Sequence, residues 1–188
     1  DFYTLGASWC PAVVESLNKK CEKTGIFIEK NNNIIIDIGA HCGFFSIMFN
    51  KLAKKIYAVE PTFEHIKLLS KLTCQHYRNI ISKFCAISDK TEQREFFCSV
   101  VNNTQNSLLK HGEVRSLGLI QCYSLVDFMN INQINEVDFV KMDIEGCEMD
   151  IILDNDFKDA MKRIKILFVE VHNTGIEPNN NFAKNYDL

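Results

Sequence analysis

The chain has no apolar run long enough to span a membrane as a helix. Its start, DFYTLGASWCPAVVE, lacks the basic residues and long apolar stretch of a secretory leader. There is no excess of positive charge: the formal net charge is −3, and pairs such as Lys19-Lys20 and Lys54-Lys55 are scattered. That leaves no electrostatic footprint for nucleic acid or an anionic membrane surface. No CxxC pair occurs among the 8 cysteines, which argues against a zinc ribbon or a dithiol redox motif. Cys42, Cys74, Cys85, Cys98, Cys122 and Cys147 fall in or beside expected strands and helices. They read as free thiols of a reducing compartment, which points to the cytoplasm. No internal repeat is evident, and no G-x-G-x-x-G dinucleotide fingerprint follows any strand.

What is present is a globular composition, 46% hydrophobic and 24% charged over 188 residues, enough for one domain with a sizeable core. The organising stretch is Ile34–Ser46, IIIDIGAHCGFFS. Three β-branched residues open a buried strand, Gly39 and Gly43 make a tight turn, and Phe44, Phe45, Ile47, Met48 and Leu52 begin a helix. Such a corner lets backbone approach a ligand closely beside a helix N-terminus. Here a carboxylate at the strand end precedes the glycines, as D-x-G-x-x-x-G. Its charge would repel a pyrophosphate but suits the ammonium of an amino acid, which favours S-adenosylmethionine over NAD.

Before this corner, Pro11 opens an amphipathic helix over 11–23. After it come a strand at Ile56–Val59 ending at Glu60-Pro61, and a helix over 62–77 with Phe63, Ile66, Leu69 and Leu72 on one face. A strand over Ile80–Ile87 ends at Ser88-Asp89. Arg94–Val100 reads as an extra strand, 101–105 as a polar loop, and Ile120–Tyr123 as another strand. Ser124, with Asp127 three residues on, caps a short helix Leu125–Met129. VDFVKM at Val137–Met142 is a strand ending at Asp143, followed by Glu145-Gly146 and a helix through Leu153. The last strand is Ile164–Val171. Strands alternating with helices call for a mostly parallel sheet with right-handed crossovers. The expected organisation is a helical segment over 1–33 packed on a core over 34–172, then a polar tail over 173–188.

Ligands of open α/β sheets bind beyond the carboxyl ends of the strands. Asp37, Glu60, Asp143 and Glu170 all fall at such ends, and Ser88-Asp89 adds a polar pair at a fifth. Glu60, seventeen positions past Gly43, stands where an acidic residue binds ribose hydroxyls in nucleotide-binding βαβ units. Asp143 or Glu145 could act as general base toward an attacking hydroxyl. With Glu170 or His172 they could instead hold a divalent cation.

The segments DIGAHCGFFS, AVEPTFEHIKLL, CAISDKTE, VDFVKMDIEGCEMDII and ILFVEVH together resemble the FkbM family of S-adenosylmethionine-dependent methyltransferases, over about residues 34–172. The resemblance implies a Rossmann-like class I methyltransferase sandwich that methylates a hydroxyl oxygen of a sugar, glycan or small natural product. It implies that Asp37, Gly39, Ala40, His41 and Gly43 line the methionine end of the cofactor. Glu60 would then take the ribose, and Ser88 and Asp89 would lie near the adenine. Asp143, Glu145 and Gly146 would stand where donor meets acceptor, with Glu170 and His172 nearby. Position 41 is His where the family usually has Asn. The residues after Val171 are too few for a helix and a final antiparallel strand pair, so that pair is expected to be missing or shortened. A non-catalytic binding or scaffold domain of the same fold is the alternative. Acceptor choice is expected to reside in the loop over 101–119.

Overall fold

The computed structural model describes residues 32–99, 106–109 and 113–172. The helix expected over 11–23, the loop over 101–105 and the tail beyond His172 lie outside the described residues.

The strands are β1 (Asn33–Ile38), β2 (Ala53–Val59), β3 (Ile80–Lys83), β4 (Ala86–Ile87), β5 (Glu92–Ser99), β6 (Val114–Tyr123), β7 (Val137–Met142) and β8 (Ile164–Val169). The helices are α1 (Phe44–Phe49), α2 (Phe63–His76), α3 (Leu125–Ile131), α4 (Glu148–Leu153) and α5 (Asn155–Met161). Five strands form one parallel sheet in the order β3-β2-β1-β7-β8. The chain runs outward from β1 through β2 and β3, then returns to the other side of β1 with β7 and β8. The topological switch point therefore lies between β1 and β7.

The two-residue period of the strands sorts the core into two layers. Ile36 and Ile38 of β1, with Val140 and Met142 of β7, face α3, α4 and α5 through Phe128, Met129, Ile151 and Phe157. Ile35, Ile56, Ala58 and Phe139 face α1 and α2 through Phe45, Phe49, Ile66 and Leu69. Asp37 and Lys141 share the parity of Ile35 and Phe139, so the same alternation drives both charged residues under α1.

Four expectations are corrected in detail. The strand expected over Ile80–Ile87 is divided. β3 pairs with β2 as far as Lys83, a tight turn closes with Cys85 N–H donating to the Lys83 carbonyl at 3.1 Å, and β4 joins a second sheet. That sheet, ordered β4-β6-β5, has β6 parallel to β4 and antiparallel to β5. β6 begins six residues earlier than Ile120 because pairing with β5 satisfies the backbone of an otherwise exposed, unpatterned stretch. Its ladder is interrupted where Phe96 faces Gly118 and Phe97 faces Ser116, an irregularity accommodated by Gly118 at φ +94°.

The helix expected through Leu153 starts only at Glu148, and α5 follows it, opened by Asp154 accepting from the Asp156 N–H at 2.8 Å. Phe63, placed by periodicity on the buried face of α2, is 58% exposed and packs edge-to-face on Phe84. It is the first residue of α2, before the buried stripe of Ile66, Leu69 and Thr73 begins. The Ser124 cap of α3 is as expected, its hydroxyl accepting from the Asp127 N–H at 3.2 Å. No helix among the described residues is long and apolar enough to cross a membrane.

Candidate active site

Strand register brings the acidic residues level. Ile38 lies opposite both Val59 and Met142, and Met142 lies opposite Val169. The next residues, Gly39, Glu60, Asp143 and Glu170, thus emerge side by side at the carboxyl edge, whereas Asp37, expected there too, lies inside β1. Backbone bonds continue the ladder there, with Asp143 N–H donating to the Ile38 carbonyl at 3.1 Å and Glu170 N–H to the Met142 carbonyl at 2.9 Å.

The β1 and β7 ends touch. Gly39 has φ +75°, and a Cβ placed on it would lie 1.8 Å from the Asp143 carbonyl oxygen. Only glycine satisfies both the angle and the contact. We expect Gly39→Ala to cost about 2–3 kcal/mol, by overpacking against backbone in a conformation that disfavours a side chain. Chemical denaturation monitored by circular dichroism measures it, and a loss below 0.5 kcal/mol would show that the corner relaxes (about the scatter of surface substitutions).

Asp37, expected to face a ligand ammonium, is completely buried. One oxygen accepts from the Ser46 hydroxyl at 2.7 Å, and the other lies 3.5 Å from Lys141 Nζ without a hydrogen bond. Burial pushes its carboxyl up, and Lys141 and Ser46 counter this only in part. Lys141, 2% exposed, also donates to the Gly39 carbonyl at 2.8 Å and lies 3.3 Å from Asp143 Oδ2. A buried chain Asp37–Lys141–Asp143 therefore ties β1 to β7, and Asp143 is its member on the open side.

At the end of β2, Glu60 accepts from the His41 N–H at 2.8 Å and from the Thr62 N–H at 2.9 Å. His65 Nδ1 lies 3.4 Å from the same carboxylate. Burial pushes Glu60 up, but the hydrogen bonds from His65 and Thr62 outweigh it and hold the group below the usual carboxylate range. It is an ionised acceptor with lone pairs to spare. His41 has φ +51°, a region that favours Asn as well as His. This accounts for either residue at the position. Its ring lies 3.9 Å from that of His65, and burial, reinforced by His65, lowers its pKa.

The third group is built by the turn after β7. Glu145 at φ +58° and Gly146 at φ +121° reverse the chain, so Glu148, 0% exposed, points back beneath it. One Glu148 oxygen accepts from the Ile144 N–H at 3.2 Å and the Gly146 N–H at 3.1 Å. The same oxygen lies 2.9 Å from His172 Nδ1, while the other is buried with no hydrogen-bond partner. A carboxylate only accepts, so in the neutral ring Nδ1 carries the proton and Nε2 the lone pair. His172 Nε2 lies 3.5 Å from Glu145, 3.8 Å from Asp143 and 4.0 Å from Glu170. Burial alone would lower the His172 pKa, but the Glu148 hydrogen bond and the charge of Glu145 raise it above its ordinary value. Burial raises Glu145, with His172 opposing.

The structure thus brings Asp143, Glu145, Glu170 and His172 together, and Gly39, Ala40, His41, Gly43 and Glu60 around the adjoining corner. Ser88 and Asp89 follow β4 instead of closing a strand of the main sheet. Ser88 is buried with its hydroxyl donating to the Lys90 carbonyl, and Asp89 pairs with Arg94 at 2.8 Å. Sequence reasoning did not single out Glu148, Lys141 or His65. A lysine inside the apolar strand VDFVKM was a signal for Lys141, and the second glutamate of DIEGCE was one for Glu148.

A parallel sheet with its switch point beside a glycine corner, and an acidic residue closing the next strand, defines a class I methyltransferase fold. A family model, the methyltransferase FkbM domain, matches residues 37–186, and the chain belongs to that family. Among curated proteins none matches. An rRNA methylase from Streptococcus thermophilus is 9% identical with a TM-score of 0.50, over 85% of this chain and 74% of that one. That likeness shows the shared fold. The methyltransferase FkbM from Methylobacillus flagellatus KT is 17% identical with a TM-score of 0.42, over 68% of this chain. The match spans only 30% of that protein's length. The phosphoethanolamine N-methyltransferase 1 of Haemonchus contortus, in complex with phosphoethanolamine and S-adenosylhomocysteine, is 13% identical with a TM-score of 0.42, over 80% of this chain and 24% of that one.

Proposed function

We propose that the protein is an S-adenosylmethionine-dependent O-methyltransferase acting on a hydroxyl of a sugar, glycan or small natural product. The observation that carries this reading is the Glu148–His172 couple, which sets the imidazole Nε2 beside Asp143, Glu145 and Glu170 at the carboxyl edge of the sheet. The corner residues fit the cofactor. Gly39 and Ala40 offer backbone, Asp143 offers the open carboxylate for an ammonium, and Glu60 offers acceptors for ribose hydroxyls. Asp37 supports this end from below through Lys141, and of the adenine-side pair Ser88 is buried while Asp89, paired with Arg94, stays partly exposed.

When bound, the cofactor supplies a sulfonium-activated methyl group. The protein's task is then alignment and proton management. His172 Nε2 would accept the proton of the acceptor hydroxyl, with the methyl group to be supplied by the sulfonium of the bound cofactor. Glu148 holds the required tautomer, and Asp143 and Glu145 stabilise the resulting imidazolium. Because the base acts as the neutral ring and its pKa is raised, kcat/KM should rise with pH through a value above 6.5, the ordinary pKa of the imidazole. A pH–rate profile flat between pH 6 and 9 (a range spanning both imidazole forms) would exclude His172 as base.

Calorimetric titration with S-adenosylhomocysteine tests the cofactor assignment. Saturable binding is expected, weakened roughly 10- to 100-fold in Glu60→Ala, the range for hydrogen bonds to a charged group. A folded chain with no affinity would favour the scaffold alternative.

A further inference from the structure

A second group of donor atoms lies apart from the His172 cluster. His41, Cys42 and His65 each offer one ligand atom, and these atoms lie within 4.8 Å of one another. His41 and Cys42 come from the glycine turn, and His65 from the first turn of α2, so two separate elements converge. We propose that His41, Cys42 and His65 form a zinc site, occupied in alternation with the cofactor.

Two imidazoles and one thiol are a zinc donor set, softer than the oxygen sets that magnesium or calcium require. Tetrahedral zinc with bonds of about 2.0–2.3 Å separates its donors by roughly 3.3–3.7 Å, so closure needs side-chain rotation of about 1 Å. None of the three is fully buried. Glu60 Oε1 at 3.4 Å from His65 Nδ1 supplies the carboxylate–histidine contact that commonly orients a ligating ring. The Cys42 thiol proton passes to solvent as the zinc–sulfur bond forms. No electron transfer is involved.

Alternation follows from Glu60, which touches His65 and the His41 N–H and is also the assigned ribose acceptor. Zinc would draw His41 and His65 across that carboxylate, while a bound ribose would hold them apart. This part rests on the cofactor reading given above.

The test is calorimetry of the chain with zinc chloride, and cobalt(II) as a spectroscopic substitute. One zinc per chain is expected, with a thiolate-to-cobalt charge-transfer band. Cys42→Ser and His65→Gln should each weaken zinc about 100-fold, at the upper end of effects seen even for groups outside the ligand shell. Saturating S-adenosylhomocysteine should raise the apparent zinc Kd in proportion to its own concentration over its Kd. No zinc binding, or affinity unchanged in both variants, overturns the site. So does affinity lost only in His172→Gln, because the ion would then sit on Asp143, Glu145 and His172, whose ligand atoms also cluster. Zinc affinity indifferent to bound S-adenosylhomocysteine overturns the alternation. S-adenosylhomocysteine is also titrated without metal. Failure to bind there, with zinc still lost in Cys42→Ser, would sink the cofactor reading and the alternation but keep the metal site.

Discussion

Replacing His172 by Ala should lower kcat by roughly 10²–10⁴-fold while leaving S-adenosylhomocysteine affinity within about threefold, because the lost group moves a proton and does not hold the cofactor. The expectation rests on an Nε2 set beside Glu145 at the carboxyl edge and on a Glu148 carboxylate against Nδ1. Glu148→Gln sharpens the test. An amide can accept through oxygen but cannot stabilise an imidazolium as a carboxylate does. The leading raising influence on His172 would go, so the rising limb of the pH–rate profile should move to lower pH while kcat falls. A purely structural role for Glu148 would lower the amount of folded enzyme and leave the profile in place. Rates unchanged in His172→Ala would return the base assignment to Asp143 or Glu145.

The largest expected loss of stability is in Lys141→Ala, about 3–5 kcal/mol, the cost of leaving a buried charge without its partner. Asp37 is fully enclosed, and beyond Ser46 its counter-charge is Lys141. Removing the ammonium also abandons the Gly39 carbonyl and frees Asp143. Urea denaturation provides the measurement, and the pair Asp37→Asn with Lys141→Met provides the control. The double variant should recover much of the loss, because two neutral groups no longer demand each other. Equal destabilisation in single and double variants would assign the effect to lost packing of the lysine stem.

How far the sequence reveals this site depends on the kind of contact involved. Glu60, Asp143 and Glu170 are legible because a strand has an end, and the end of a parallel strand faces the crevice; Asp37, read the same way, lies two residues short of that edge and is enclosed. The sheet alternation even implies that Asp37 and Lys141 lie on one face, once their strands are known to be neighbours. Glu148 is hidden for a different reason. Its side chain reaches His172 only because Glu145 and Gly146 take positive φ, and glutamate seldom does so. Periodicity carries no information about such a reversal. The division of strand 80–87 is equally silent, since Ile80–Lys83 and Ala86-Ile87 are both apolar enough for either sheet. α5 escapes notice because Phe157 and Ala160 give it only two buried anchors. In each case the decision comes from what the segment packs on, which lies far away in sequence.

Distance along the chain has a further consequence for β1. It pairs with β2 almost at once but with β7 only after about a hundred intervening residues. During synthesis at about 5–20 residues per second, β1 waits several seconds or more with one edge unpaired and Asp37 without its lysine. The first half of the sheet is thus assembled around a vacancy shaped for a strand not yet made. Closing that gap completes the hydrogen-bond ladder, neutralises the carboxylate and sets Asp143 against Gly39 in one event. The crevice should therefore appear late and all at once, and nascent chains ending before Met142 should lack it.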